Sequence, residues 1–249
     1  MRLMAIRHGG TDSAGTAPPG PWRQRIVTAV EGPNRGAPVA AIASTFNLLA
    51  GGVPALPTSG PDLLACLSGW LPPDREVDPD GAIPSSFVTW SKAGWDALAE
   101  VFGWLAPQAS KAGKRIGIMP HARTVVSDPQ ACMTFLRAIE DPSVGLVIDP
   151  VAMLTPEMLP DAEDHLLRTY EALADHDRVW MFLMTNTRRS PDGRSLRPAP
   201  LHDGELDRDM LIETALRSLP RAMPVAMLEE TLPRQLAAVR AAELRVGRE

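Results

Sequence analysis

Asp149 closes the run VGLVIDP, an aliphatic stretch followed at once by proline. A carboxylate in that position is costly to desolvate unless something pairs with it. Glu229 and Glu230 close a second run of the same kind, MPVAMLEE. Acids at strand tips hold divalent cations or carry protons beside a reacting carbonyl. Other polar residues stand where an apolar run stops: His8, Asn47, Ser68, His121, Asn186, and Asp203 or Glu205. The set is acid-rich and histidine-poor, with no cluster of three histidines and no cysteine pair at metal-ligand spacing.

The elements that must position these residues alternate from about residue 92 onward. Trp95, Leu98, Phe102 and Leu105 recur at steps of three and four, which predicts a helix running to about Ala112. KRIGIMPHA reads as a strand ended by Pro120. SDPQACMTFLRAIED reads as a helix with Ser127 and Gln130 in a capping box and Pro129 in the first turn. VGLVID and RVWMFLMTN are near-continuous apolar runs, the pattern of parallel strands buried on both faces. Helices over DAEDHLLRTYEAL and from Asp207 to Leu219, the strand MPVAMLE, and a last helix capped by Thr231 complete the alternation.

The N-terminal part is less regular. RLMAIR, PVAAIAST and DLLACLSG read as strands, and WRQRIVTAV as a short helix between the first two. With a short irregular strand near 199–203 the strands number eight. Strand–helix repeats imply parallel strands and right-handed crossovers. The expected fold is therefore a (β/α)8 TIM barrel with shortened or irregular N-terminal helices, residues 1–249 forming one domain. In such a barrel the site lies at the C-terminal ends of the strands.

The composition excludes several classes. A hydrophobic content of 45% supplies a sizeable core, while a net charge of -5 with scattered Lys and Arg gives no footprint for nucleic acid. The chain carries no apolar run of signal-peptide length and none of the roughly 18 residues a membrane span needs. No nucleic acid, no membrane and a cytoplasmic location are expected. Cys66 and Cys132 sit in apolar stretches and read as reduced core thiols. The 25 prolines gather in 11–22, 33–38, 54–84 and 191–200, which read as loops.

STFN at 44–47, HARTVVSDPQ, VGLVIDP, DGELD at 203–207 and MLEE, in this order, resemble the xylose isomerase-like TIM barrels, the superfamily of sugar phosphate isomerases and epimerases. The resemblance covers roughly residues 38–232. It implies a sugar or sugar-acid isomerase or epimerase, phosphorylated substrates included, working by proton transfer next to a carbonyl. It also implies one divalent metal (Mg, Mn or Zn) on acids and histidines of the fourth, fifth, sixth and eighth strands. Asp149 takes the fifth-strand position as a metal ligand, and Glu229 the eighth as ligand and acid/base, with Glu230 one register away. The fourth-strand glutamate falls on Met119, the sixth-strand histidine on Leu183, and a further histidine on Ala152. The metal is then held loosely or has been lost.

Within that resemblance His121, two residues beyond Met119, is a supplementary ligand or second catalytic acid/base if the strand direction survives Pro120. Arg189, or equally Arg188, is a substrate clamp, and Asn47 and His8 are substrate-binding residues at the barrel mouth. The expected partner is a small carbohydrate, and a homodimer stays open as cover for the eroded helices. The plainer alternatives also stand: Asp149 capping its own turn, Glu229 an exposed acid beside Thr231, His8 a satisfied polar residue. Replacement of ligands by Met119 and Leu183 equally suits a non-catalytic barrel kept as a binding or assembly scaffold.

Overall fold

The computed structural model of the chain describes residues 2–8, 25–29, 38–43, 46–51, 55–77, 82–228 and 232–247. Its strands are β1 (Arg2–His8), β2 (Arg25–Ala29), β3 (Pro38–Ala43), β4 (Leu63–Leu67), β5 (Arg115–Met119), β6 (Val144–Ile148), β7 (Val179–Leu183), β8 (Asn186–Arg189), β9 (Leu196–Ala199) and β10 (Pro224–Leu228). The helices are α1 (Lys92–Lys111), α2 (Pro129–Ala138), α3 (Ala162–Leu173), α4 (Arg208–Ser218) and α5 (Leu232–Arg245).

Eight strands close into an α/β barrel of TIM type, in the order β1-β10-β7-β6-β5-β4-β3-β2. From β3 to β7 each strand lies parallel to the next, and β10 joins β7 to β1 in the same sense. β2 alone runs against both neighbours, pairing Ile6 with Val27 and Val27 with Ala40.

Strand alternation divides the apolar side chains into two layers. Leu63, Ala65 and Leu67 of β4 face the barrel interior, where they meet Ile42, Val147, Met181 and Ala226. Leu64 and Cys66 face outward, into a second core with Phe102 of α1, Phe135 of α2, Leu166 of α3 and Ile212 of α4. Phe102 meets Phe135 edge-on, with ring centres 5.2 Å apart. Each such aliphatic or aromatic side chain withdrawn from water stabilises the fold by about 1.5–3 kcal/mol. Cys66 and Cys132 are both free and fully buried. Burial pushes the Cys66 thiol up to about 12, so it is inert.

The helices start where side chains can take the first free N–H groups. Ser91 accepts from Ala93, Asp128 from Ala131 at 2.8 Å, and Asp207 from Met210 at 2.7 Å. The cap of α2 is therefore Asp128, one residue beyond the expected Ser127, whose hydroxyl instead donates to Asp128. Thr231, expected to cap α5, lies outside the described residues. Among the described residues no helix is long and apolar enough to cross a membrane.

Two elements differ from the sequence reading. RIVTA, expected within a helix, forms β2, because Ile26, Val27 and Thr28 are β-branched and Val27 completes the interior layer. The strand expected near 199–203 is β9, which pairs antiparallel with β8 in a hairpin outside the barrel. The eight staves are thus seven parallel strands and one reversed strand. The hairpin stands above the C-terminal end of β7.

Candidate active site

Period-two alternation places Asp149 on the interior side, one step beyond Val147, and Thr185 likewise one step beyond Leu183. There the Thr185 hydroxyl lies 3.0 and 2.9 Å from the two carboxylate oxygens of Asp149, and both residues are about 5% exposed. Burial and the Asp149 charge together push the Tyr170 phenol well above its ordinary range, so it stays protonated.

His121 comes to the same place by a chain of backbone bonds. The Ala152 N–H donates to the Asp149 carbonyl at 3.1 Å, and the Ala122 N–H donates to the Ala152 carbonyl at 2.9 Å. The loops after β5 and β6 are thereby stitched together, and His121 and Asp149 line one cavity of about 180 Å³. His121 Nδ1 accepts the Arg123 N–H at 3.0 Å. The neutral ring therefore carries its proton on Nε2. Burial first, and the Arg123 charge second, lower its pKa to about 4, so the ring is neutral at pH 7.

The rest of the cavity wall comes from Ser85 and Trp90, the 3-10 turns after β6, and the β8–β9 hairpin with Arg194, Ser195 and Arg197. Arg123 spans it, donating to the carbonyls of Ile83 at 2.9 Å and Arg194 at 2.6 Å. Glu157, exposed at the rim, is held below the usual carboxylate range by the Thr155 hydroxyl, its own N–H and Arg189. Trp90, Arg123, Thr185, Arg194 and Arg197 were not among the residues singled out from the sequence. The signal for the hairpin was present in Pro191-Asp192-Gly193, a turn tripeptide.

Other expected site residues are occupied elsewhere. Asn47 uses its whole amide on the main chain: Nδ2 donates to Trp70 and Pro73, and Oδ1 accepts from Leu49 and Trp70. With those four bonds made it is a loop clamp and does not line the cavity. Ser68 Oγ accepts the Val126 N–H at 2.9 Å. Asn186 does line the cavity, but its amide is taken up by Leu201, Leu206 and Thr187. Arg189 pairs with Glu205 at 3.1 Å and donates to the Pro156 carbonyl, while Arg188 donates to the Asp203 carbonyl. Neither arginine lines the cavity, and the arginines that do are Arg123, Arg194 and Arg197. His8 ends β1, its side chain outside the described set, and Glu229 and Glu230 follow β10 and lie outside the described residues.

The donors described do not fit a divalent ion. Among the described residues no three His, Cys, Asp or Glu side chains come together. Asp149 holds the Thr185 hydroxyl, and a neutral His121 whose Nδ1 accepts an N–H presents a protonated Nε2. A metal-bound imidazole shows the reverse arrangement, with its second nitrogen donating. Met119 and Leu183, at the positions where the resemblance places a glutamate and a histidine, are buried in the interior cluster beside Leu67, Trp70 and Ile83.

No protein-family model and no curated protein matches the chain. Solved structures do resemble it. They include a xylose isomerase domain protein from Planctomyces limnophilus, at 14% identity and TM-score 0.47 over 75% of this chain and 60% of that one. A xylose isomerase-like TIM barrel protein from Mycobacterium smegmatis in complex with magnesium is similar at 16% and 0.46, over 74% and 63%. An L-ribulose 3-epimerase is similar at 11% and 0.47, over 76% and 64%. The chain spans about three-fifths of the length of these structures, and the likeness is one of fold.

Proposed function

We propose that the chain is an isomerase or epimerase that moves a proton next to the carbonyl of a sugar or sugar acid, phosphorylated substrates included. The observation that carries this reading is that Asp149, a buried carboxylate, and His121, a neutral imidazole with its proton on Nε2, share one cavity at the C-terminal rim. The substrate carbon beside the carbonyl gives its proton to Asp149, and the C–H electron pair moves into an enediolate. The His121 Nε2–H donates to the carbonyl oxygen as charge develops there; a neutral imidazole donor can do this without transferring its proton in full. Asp149 then returns the proton to the same carbon from the other face of a reoriented intermediate, or to the neighbouring carbon. Glu229, next in the chain after β10, is assigned the second acid/base role. No step is routed through a metal.

The test runs across a panel, so the substrate need not be identified first. Ketoses, aldoses, sugar acids and sugar phosphates are incubated with the protein in deuterated water, and loss of the proton beside the carbonyl is followed by NMR. Exchange with one class is expected, reduced at least ~100-fold by Asp149→Asn and by His121→Phe. A wild-type protein that exchanges nothing across the panel, or an Asp149→Asn variant as fast as wild type, overturns the reading. The second reading, a non-catalytic binding or assembly scaffold, draws on the apolar packing of Met119 and Leu183. It expects ligand binding at the cavity without exchange.

A further inference from the structure

Charged residues of both signs line the cavity, with Asp149 and Glu157 on the side of β6 and its 3-10 turns and three arginines on the other. Asp149 stands at the strand end, whereas the cations come from the hairpin side: Arg194 from its turn, Arg197 from β9, and Arg123 bonded to the turn through the Arg194 carbonyl. Carbonyl partners leave the Arg123 charge unneutralised, and three of its five N–H groups remain after the bonds to Ile83 and Arg194. The Arg194 guanidinium makes no ion pair among the described residues.

The backbone that carries Arg194 is fixed at several points. Gly193 takes a φ of +70°, which glycine adopts without strain. Its N–H donates to the Ser190 carbonyl and the Ser190 N–H to the Ser195 carbonyl, both at 2.8 Å. Ser190 Oγ accepts the Ser195 N–H at 3.0 Å and donates to Asp192, whose Oδ1 also accepts the Arg194 N–H at 3.0 Å. The Asp192 carboxylate is thereby engaged with a hydroxyl and a main-chain N–H. Trp90, 41% exposed, supplies a flat apolar surface on the cavity wall.

Building on the proton-transfer reading, the geometry points to an anionic carbohydrate, a sugar carboxylate or sugar phosphate, with its anion gripped by Arg194 and Arg123 and its carbonyl end at Asp149 and His121. A guanidinium fork binds either oxyanion through paired N–H donors. With the anion held on the arginine side, the reacting carbon is left to face Asp149 and His121 at the strand end. Arg194 is thus a specificity-determining residue.

The experiment compares a neutral sugar, its sugar acid and its phosphate ester of the same carbon skeleton, by calorimetric binding and by deuterium exchange. Wild type and the variants Arg194→Gln and Arg194→Lys are used, with acetate and inorganic phosphate as competitors. The expected result is that an anionic member binds at least ~10-fold more tightly than the neutral one, loses that margin in Arg194→Gln and regains part of it in Arg194→Lys. Competition by phosphate alone identifies the phosphate ester, and competition by both ions the wider anion class. Equal binding of the neutral sugar, or an Arg194→Gln variant with unchanged preference, overturns the inference. Arg194-dependent binding of anions with no exchange upholds it and sinks the proton-transfer reading. Exchange of neutral sugars that needs Asp149 but ignores Arg194 does the reverse.

Discussion

One hydroxyl, Thr185 Oγ1, lies within hydrogen-bond distance of both carboxylate oxygens of Asp149, at 3.0 and 2.9 Å, in a spot that water scarcely reaches. Its single proton is shared across the two oxygens. Asp149 and Thr185 both line the cavity that His121 also lines. Thr185→Val keeps the shape and removes the donor, and it is expected to destabilise the fold by about 1–3 kcal/mol. Thr185→Ser keeps the donor and is expected to lose much less. Urea unfolding of the three proteins at pH 7.5 measures both, and a Val variant as stable as wild type would show that the bond carries nothing.

His121 makes stability depend on pH. Its folded pKa of about 4 lies below the ordinary value of 6.5, with burial the main cause and Arg123 the second. Between those values the unfolded chain binds a proton that the folded chain refuses, so stability falls as pH drops from 6.5 to 4 and levels off below. The shift amounts to at most about 3 kcal/mol over that window. His121→Gln should flatten the profile there while leaving the alkaline side unchanged. The check is the urea midpoint of both proteins at pH 7.5, 5.5 and 4.5; parallel profiles would refute the assignment.

The barrel was largely legible because VGLVI, IGIM and VAM are buried on two faces and need no partner to be recognised as parallel strands. RIVTA was not, since a short apolar run can serve a helix or a strand and only the gap beside Ala40 decides. The same limit shaped the site. Asp149 and His121 stand at strand ends and line one cavity, whereas the type of Asn47 suits a ligand contact and a loop clamp equally, and its four main-chain bonds show only in the fold. Arg123 and Arg194 were invisible because their meeting depends on a hairpin that the prolines near 191–200 disguised as loop.

Met119 tests what fills the barrel centre. It is 8% exposed and packs in the apolar interior cluster that also holds Leu183. Met119→Glu would place a carboxylate there without a described partner, at a cost of about 3 kcal/mol or more at pH 8. Protonation should restore part of that loss near pH 5. Met119→Leu, close in volume, is expected to cost less than about 1.5 kcal/mol. Thermal unfolding of both variants at the two pH values checks the sign, and a Glu variant as stable as wild type at pH 8 would mean that the centre is wet or lined with cations.

The hairpin should prove separable from the barrel through Gly204. A β-carbon added there would stand 2.0 Å from Asn186 Cγ, and Asn186 is the amide that ties Leu201 and Leu206 to the start of β8. Gly204→Ala must displace that amide. The loop it releases carries Glu205, the partner of Arg189 and the acceptor of its N–H, so the disturbance runs into the hairpin wall of the cavity. The expected result is faster amide hydrogen exchange across 186–206 with unchanged protection in β4, β5 and β6, whose registers owe nothing to the hairpin. Ligand binding should weaken in proportion. Uniform loss of protection throughout the barrel would instead show that hairpin and barrel unfold as one unit.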